Sequence, residues 1–180
     1  MIVHTKDGRK ADLLKFEPTF GSRLLGYLSG LSGESKSRFG PHPFTADGIN
    51  GILNVRSGVT GYIGIDVLSG KIIAYSLVKQ GFVEHDERRY EGYGILPDSS
   101  AVCSYAPSVH DDWQGTGLGS SMLGFALDDI RRFHFNLMVL WGGVQASNTR
   151  ALKFYLKQGF IMAGTFVHNG ENIDMMLSLK

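Results

Sequence analysis

The chain has 180 residues, 43% of them hydrophobic and 19% charged, with 18 Lys and Arg against 17 Asp and Glu and a net charge of +1. That balance excludes a disordered, acidic or collagen-like chain, and it removes the electrostatic basis for general nucleic-acid binding. The single cysteine, Cys103, excludes an internal disulfide framework and any CxxC zinc or redox site, which predicts a reducing, cytoplasmic setting.

Residues 1–16 predict one or two strands around the Lys6-Asp7-Gly8-Arg9 turn, with no apolar run of signal-peptide type. Residues 19–31 carry Phe20, Leu24, Leu25 and Leu28 at helical spacing. A second short helix begins at Ser32 and ends near Phe39 and Gly40; Pro41 and Pro43 break the chain, and Thr45 caps a third through Leu53. The period then changes. Residues 59–67 and 72–78 read as strands joined by the hairpin turn Leu68-Ser69-Gly70-Lys71. Residues 84–98 are polar and predict a loop or a loose helix, and 101–109 predict a strand in which Pro107 implies a bulge or an edge.

Residues 118–133 form the strongest helical pattern, with Leu118, Met122, Phe125, Ala126, Ile130 and Phe133 along one side and the acidic pair Asp128 and Asp129 on a solvated face. The apolar run 137–141 predicts a strand buried on both faces. Residues 148–158 predict a helix with Ala151, Leu152, Tyr155 and Leu156 inward and Gly159 just past its end. Residues 160–167 and 173–179 close the chain as a strand pair. The order describes a mixed α/β (α+β) fold, with N-terminal helices, a central mixed sheet and a C-terminal hairpin. The length predicts one domain over residues 1–180. No apolar run approaches the ~20 residues of a membrane span, so no membrane association is expected. The six histidines are scattered without an HxxxH pair, and no metal site is expected.

The most informative stretch is Val109-His110-Asp111-Asp112-Trp113-Gln114-Gly115-Thr116-Gly117-Leu118-Gly119-Ser120, between a predicted strand and the long helix. Clustered glycines let successive backbone N–H groups point into one concavity at a helix start, where the dipole favours an anion, most often a phosphate. A P-loop needs a lysine after its glycines, and none follows here. A Rossmann turn needs GxGxxG, but counting from Gly115 or Gly117 the last position is Ser120 or Met122. No GxSxG elbow occurs either.

What remains, Gln114-x-x-Gly117-x-Gly119, resembles the pyrophosphate-binding Q/R-x-x-G-x-G/A motif of the GNAT acetyltransferase superfamily. The run from Asn148 to Phe160, with Ala151, Tyr155 and Gly159 between, is similar to that family's N-x-x-A-x-x-x-Y-x-x-x-G-F signature. The resemblance covers roughly residues 59–180. It departs from the family at Asp111, where proline is common, and at Pro107.

The resemblance implies a fold with two splayed parallel strands, here 101–109 and 137–141, that receives acetyl-CoA as co-substrate. Backbone groups of Val109 would pair with the pantetheine arm. Amides of Gly115, Thr116, Gly117, Leu118, Gly119 and Ser120 would hold the pyrophosphate, with Gln114 orienting the loop. Asn148 would meet the pantetheine, Tyr155 would protonate the leaving sulfur, and a backbone N–H near Val109 or His110 would stabilise the oxyanion. Glu84, Glu87 and Glu91 are candidate bases. Each has a structural alternative: Tyr155 lies on the apolar stripe of its helix, His110 and Asp111 can be solvated turn residues, and the three glutamates can be a charged loop. The activity expected is transfer of an acyl group, acetyl foremost, to a primary amine of a small molecule or protein, with a homodimer compatible. The alternative is a non-catalytic acyl-CoA sensor or scaffold. A nucleotide-binding regulator would need an acidic ribose partner after the glycine loop, and none is found.

Overall fold

The computed structural model describes residues 1–54, 56–83, 85–95 and 97–179. In chain order its elements are β1 (Ile2–His4), β2 (Lys10–Lys15), α1 (Gly21–Gly30), α2 (Gly33–Arg38), α3 (Ala46–Ile52), β3 (Val59–Asp66), β4 (Ile72–Gln80), α4 (Asp86–Gly92), β5 (Val102–Val109), α5 (Leu118–Ile130), β6 (Leu137–Leu140), β7 (Val144–Gln145), α6 (Thr149–Lys157), β8 (Ile161–Val167) and β9 (Glu171–Ser178). Residue contacts divide the chain into two units: Met1–Val78 with Ala106–Ile130, and Lys79–Tyr105 with Arg131–Lys180. Strands β4 and β5 each contribute a segment to both.

In the first unit the strands follow the order β1-β2-β3-β4-β5, with β1–β2 and β2–β3 antiparallel. Helix α1 buries Leu24, Tyr27 and Leu28, so the inward face centres on Tyr27 as well as the leucines. The expected caps form: the Ser32 hydroxyl accepts the Ser35 N–H at 3.1 Å, and the Thr45 hydroxyl accepts the Gly48 N–H at 3.0 Å. Gly48 is required by close approach, since a Cβ there would lie 2.3 Å from the Pro43 carbonyl oxygen. Helix α5 packs over Gly64, where a Cβ would come within 3.5 Å of the Met122 sulfur.

Two expectations about this helix are corrected. It ends at Ile130, so Phe133 falls past it and is exposed, its ring tilted against Phe135 at 5.6 Å. Asp129 is not merely solvated: it accepts the Tyr62 hydroxyl at 2.9 Å and pairs with Lys15 at 2.7 Å, because one more turn of α5 brings it over β2 and β3.

In the second unit β5 runs parallel to β6, from Val102 opposite Leu137 to Tyr105 opposite Leu140, and the order continues β6-β9-β7 with β8 on β9. A core of Phe82, Tyr90, Val102 and Val139 fills it. The segment expected as a loop or loose helix holds a regular helix, α4, because Arg89 and Tyr90 find partners on β9 and Asp86 finds one at Gly142. Helix α6 is amphipathic as read, with one correction: Leu156 is 53% exposed, a helical step of about 100° away from buried Tyr155. Gly159, at φ +89°, ends it in the left-handed conformation.

Candidate active site

The glycine loop belongs to the first unit and is built by its own residues. Asp111–Trp113 makes a single 3-10 turn. The Thr116 hydroxyl donates to the Trp113 carbonyl at 2.7 Å, which folds the chain back before α5 begins. Gly115 and Gly117 have φ of +81° and +94°, a region costly for a side chain, while Thr116 between them does not. Alternating signs of φ aim neighbouring N–H groups into one hollow. Two of the expected amides are already engaged: the Ser120 N–H donates to the Gly117 carbonyl at 3.0 Å, inside the first helical turn, and the Leu118 N–H donates to the Thr116 hydroxyl at 3.5 Å.

Strand β5 leads into this loop with a defined alternation. The His110 N–H donates to the Ile73 carbonyl at 2.8 Å, which takes it out of the expected oxyanion role. Successive residues of a strand point opposite ways, so the Val109 N–H faces the edge turned from β4, and so does the missing N–H of Pro107. The described β5–β6 pairs run only from Val102 to Tyr105, so the proline lies beyond them, where a missing donor breaks no ladder bond. Val109 also uses its carbonyl, which accepts the Gln114 side-chain amide at 3.2 Å.

Three braces hold the loop. The Lys6 N–H donates to the Thr116 carbonyl at 2.8 Å. Arg9 donates to the Asp112 carbonyl at 2.8 Å and lies 3.8 Å over the buried Trp113 ring, its guanidinium held by Asp7. Asp111 accepts from Ser32 and Ser35. Burial works against its ionisation, but the hydrogen bonds from Ser35 and Ser32 outweigh it and hold its carboxyl below the usual range. Asp111 is thus an exposed turn residue, as read, but one anchored by Ser32 and Ser35. None of these braces is visible in local sequence, because each joins segments at least 76 residues apart.

The remaining candidates lie in the second unit. Asn148 caps α6, its side-chain oxygen accepting the Ala151 N–H at 3.2 Å. Tyr155 is 7% exposed and packs edge-on against Phe154 and Phe160, at 5.1 and 5.3 Å. Burial raises its pKa well above the ordinary tyrosine value, with the Tyr105 hydroxyl adding to the effect. Glu87 and Glu91 are exposed on α4, and Glu87 accepts the Ser99 hydroxyl. Glu84 lies outside the described residues.

The acidic group that sequence reading missed is Asp86, 2% exposed, which pairs with Arg89 at 2.7 Å and accepts the Gly142 N–H at 2.9 Å. Arg89 also holds the fully buried Asp174 on β9 at 2.7 Å, and Tyr93 donates to that same carboxylate at 3.0 Å. Burial raises the Asp86 pKa against the bonds from Gly142 and Arg89. The Asp86-x-x-Arg89 spacing was legible; Asp174, 85 residues on from Arg89, was not. Cys103 is buried, with its thiol pushed up to about 12, and offers no nucleophile. Among the described residues no group of His, Cys, Asp and Glu is placed to hold a metal ion, and no helix is long and apolar enough to cross a membrane.

Comparison with known proteins agrees with this architecture. The sequence model of the Acetyltransferase (GNAT) family matches residues 53–160. The chain belongs to that family. The fold is similar to the GNAT domain of S. lividans PAT, with a TM-score of 0.77, 17% identity and coverage of 99% of this chain and 96% of that one. It is also similar to yncA of Salmonella typhimurium, solved with its cofactor acetyl-CoA (TM-score 0.68, 16% identity, 94% of each chain). A third likeness is to aminoglycoside acetyltransferase AAC(6')-Ib in complex with coenzyme A (TM-score 0.69, 19% identity, 93% of this chain and 94% of that one). At these identities the likeness is one of fold. No curated protein matches the chain.

Proposed function

We propose that the protein is an acetyl-CoA-dependent N-acetyltransferase acting on a primary amine by direct attack in a ternary complex. The observation that carries this reading is the Gln114–Gly119 loop: two left-handed glycines at the start of a thirteen-residue helix, in a chain of the GNAT family. The pyrophosphate would take amides between Gly115 and Gly119, with Ser120 removed from the set and the Leu118 N–H shared with the Thr116 hydroxyl. Gln114, tied to Val109, sets the loop against the end of β5. The Val109 N–H is the backbone donor retained for the pantetheine or the thioester oxygen. In the second unit, Asn148 and Tyr155 stand at the family motif's positions, and the Asn148 side-chain NH₂ is the group left for the pantetheine once its oxygen has capped α6.

In the reaction the neutral amine attacks the thioester carbonyl, a C–N bond forms, and the C–S bond breaks as the oxyanion collapses. The thiolate then takes a proton. Tyr155 is protonated at neutral pH, so it is available as the acid. A free thiol titrates near ~8.5 and tyrosine near ~10, and burial widens that gap, so the transfer is uphill and depends on contact geometry. The amine arrives as ammonium and loses its proton to water or to an exposed glutamate such as Glu87 or Glu91. The reading is tested by screening primary amines, small molecules and peptides, with free-CoA release as the signal. Acetyl-CoA binding without turnover on any amine would favour a sensor.

A further inference from the structure

One carboxylate is shared between the start of α2 and the glycine loop. Asp111 accepts four hydrogen bonds: the Ser32 N–H at 3.2 Å, the Ser32 hydroxyl at 3.0 Å, the Ser35 hydroxyl at 2.7 Å and the Gln114 side-chain amide at 3.4 Å. The proton directions interlock. Ser32 gives its hydroxyl proton to Asp111 and, with its lone pair, caps the Ser35 N–H at 3.1 Å. Ser35 gives its proton to Asp111 and receives the Gln114 amide at 3.5 Å. The same Gln114 nitrogen reaches the Val109 carbonyl at 3.2 Å. An ionised carboxylate is the one side chain of this size that accepts from all four and donates to none.

Two further facts make this a property of the chain rather than of its family. Ser32 and Ser35 lie outside the residues 53–160 that the family matches, and the family resemblance has proline commonly at position 111. Proline suits the first position of the turn just as well but accepts nothing through its side chain. The turn therefore does not need the carboxylate. On the other flank of Val109, α1 is tied to β5 by the buried Tyr27 and Ser108 hydroxyls, 2.7 Å apart.

We infer that Asp111 is a positioning residue: it couples the start of α2 to Gln114, so that occupancy of the glycine loop and order in α2 reinforce one another. This rests on the reading of the loop as the acetyl-CoA site. Coupling between binding and local order is reciprocal, so whatever loosens α2 must weaken the hold on the cofactor by the same factor. Asp111→Asn keeps the shape but replaces one acceptor oxygen by an N–H₂, which then faces either the Ser32 N–H that Oδ2 accepts or, turned over, the three donors on Oδ1. Ser35→Ala removes one half-buried hydroxyl and leaves the fold's core untouched.

The experiment is an acetyl-CoA titration of the wild type, Asp111→Asn, Ser35→Ala and the double variant, with hydrogen exchange of residues 33–38 measured with and without acetyl-CoA. Each single change should weaken binding by roughly 5–20-fold, and the double variant should be no weaker than the worse single one, because both cut one network. In the wild type acetyl-CoA should slow exchange in 33–38, and in Asp111→Asn it should not. Wild-type affinity in Asp111→Asn, losses that simply multiply, or exchange in 33–38 indifferent to ligand in the wild type would each overturn the coupling. A wild type that binds no acetyl-CoA would instead remove the loop reading, and the coupling with it.

Discussion

The glycine loop of the first unit and helix α4 of the second handle charge in opposite ways. From Gln114 to Gly119 no side chain is charged; the loop presents backbone dipoles at a helix start, with left-handed glycines doing the aiming. Helix α4 and β9 bury full charges, Asp86 and Asp174, and share Arg89 between them, with Tyr93 and the Gly142 N–H completing the set. A partial positive field without a counter-ion is suited to receive an anion. A buried cluster whose groups already satisfy one another is scaffold, and its worth shows when one member is removed.

The largest effect is expected where that cluster is broken. Arg89→Met leaves two buried carboxylates without their cation and should cost about 3–5 kcal/mol, read by urea unfolding. A loss below about 1 kcal/mol would show that the carboxylates are hydrated and that the contrast with the loop is false. Tyr155→Phe should lower turnover by roughly 10²-fold, the lower end for general acid catalysis, with acetyl-CoA affinity little changed. If instead the melting temperature drops while rates stay normal, Tyr155 is a core residue and water protonates the sulfur.

Gly117→Val probes the loop itself. Its Cβ would meet only the flexible Lys6 side chain, at 3.6 Å, so the penalty comes from the backbone at φ +94° rather than from a clash. Forcing that turn should cost about 1–3 kcal/mol and reduce acetyl-CoA affinity at least tenfold. Undiminished affinity in the folded variant would make the glycines structural only.

The smallest effect concerns His42, whose Nδ1 faces the Pro43 carbonyl at 2.8 Å and whose Nε2 faces the Tyr75 hydroxyl at 3.2 Å. Burial lowers its pKa, against the Pro43 bond. A lowered value means the neutral ring stabilises the fold above the ordinary ~6.5, and that contribution is lost as pH falls through the folded value. Melting curves below pH 6.5 should show this decline, and His42→Gln should flatten it; equal slopes in both proteins would contradict it.

What could be read from sequence follows the same division. Capping residues Ser32 and Thr45, the left-handed Gly159 and the Gln114–Gly119 loop act within a few residues of themselves, so their spacing was enough. The cap at Asn148 is equally local, but the helical pattern over 148–158 takes that residue inside its helix. Asp111, Arg9 and Arg89 act through partners far along the chain, and composition carried no sign of them. The polar pattern of 84–98 does not decide between a loop and a helix for that reason: α4 is held by Tyr90 donating to the Met175 carbonyl at 3.0 Å and by Arg89 on Asp174. Leu156 and Phe133 failed differently, because an apolar residue near a helix end need not turn inward.

The central claim is that the glycine loop binds acetyl-CoA through its backbone. It is tested most directly by thermal unfolding of the wild-type protein with acetyl-CoA, NAD and ATP in parallel. At ~100 times its dissociation constant acetyl-CoA should add about 2.7 kcal/mol and raise the melting temperature, while NAD and ATP leave it unchanged. No shift with millimolar acetyl-CoA, or an equal shift with all three, would contradict the account.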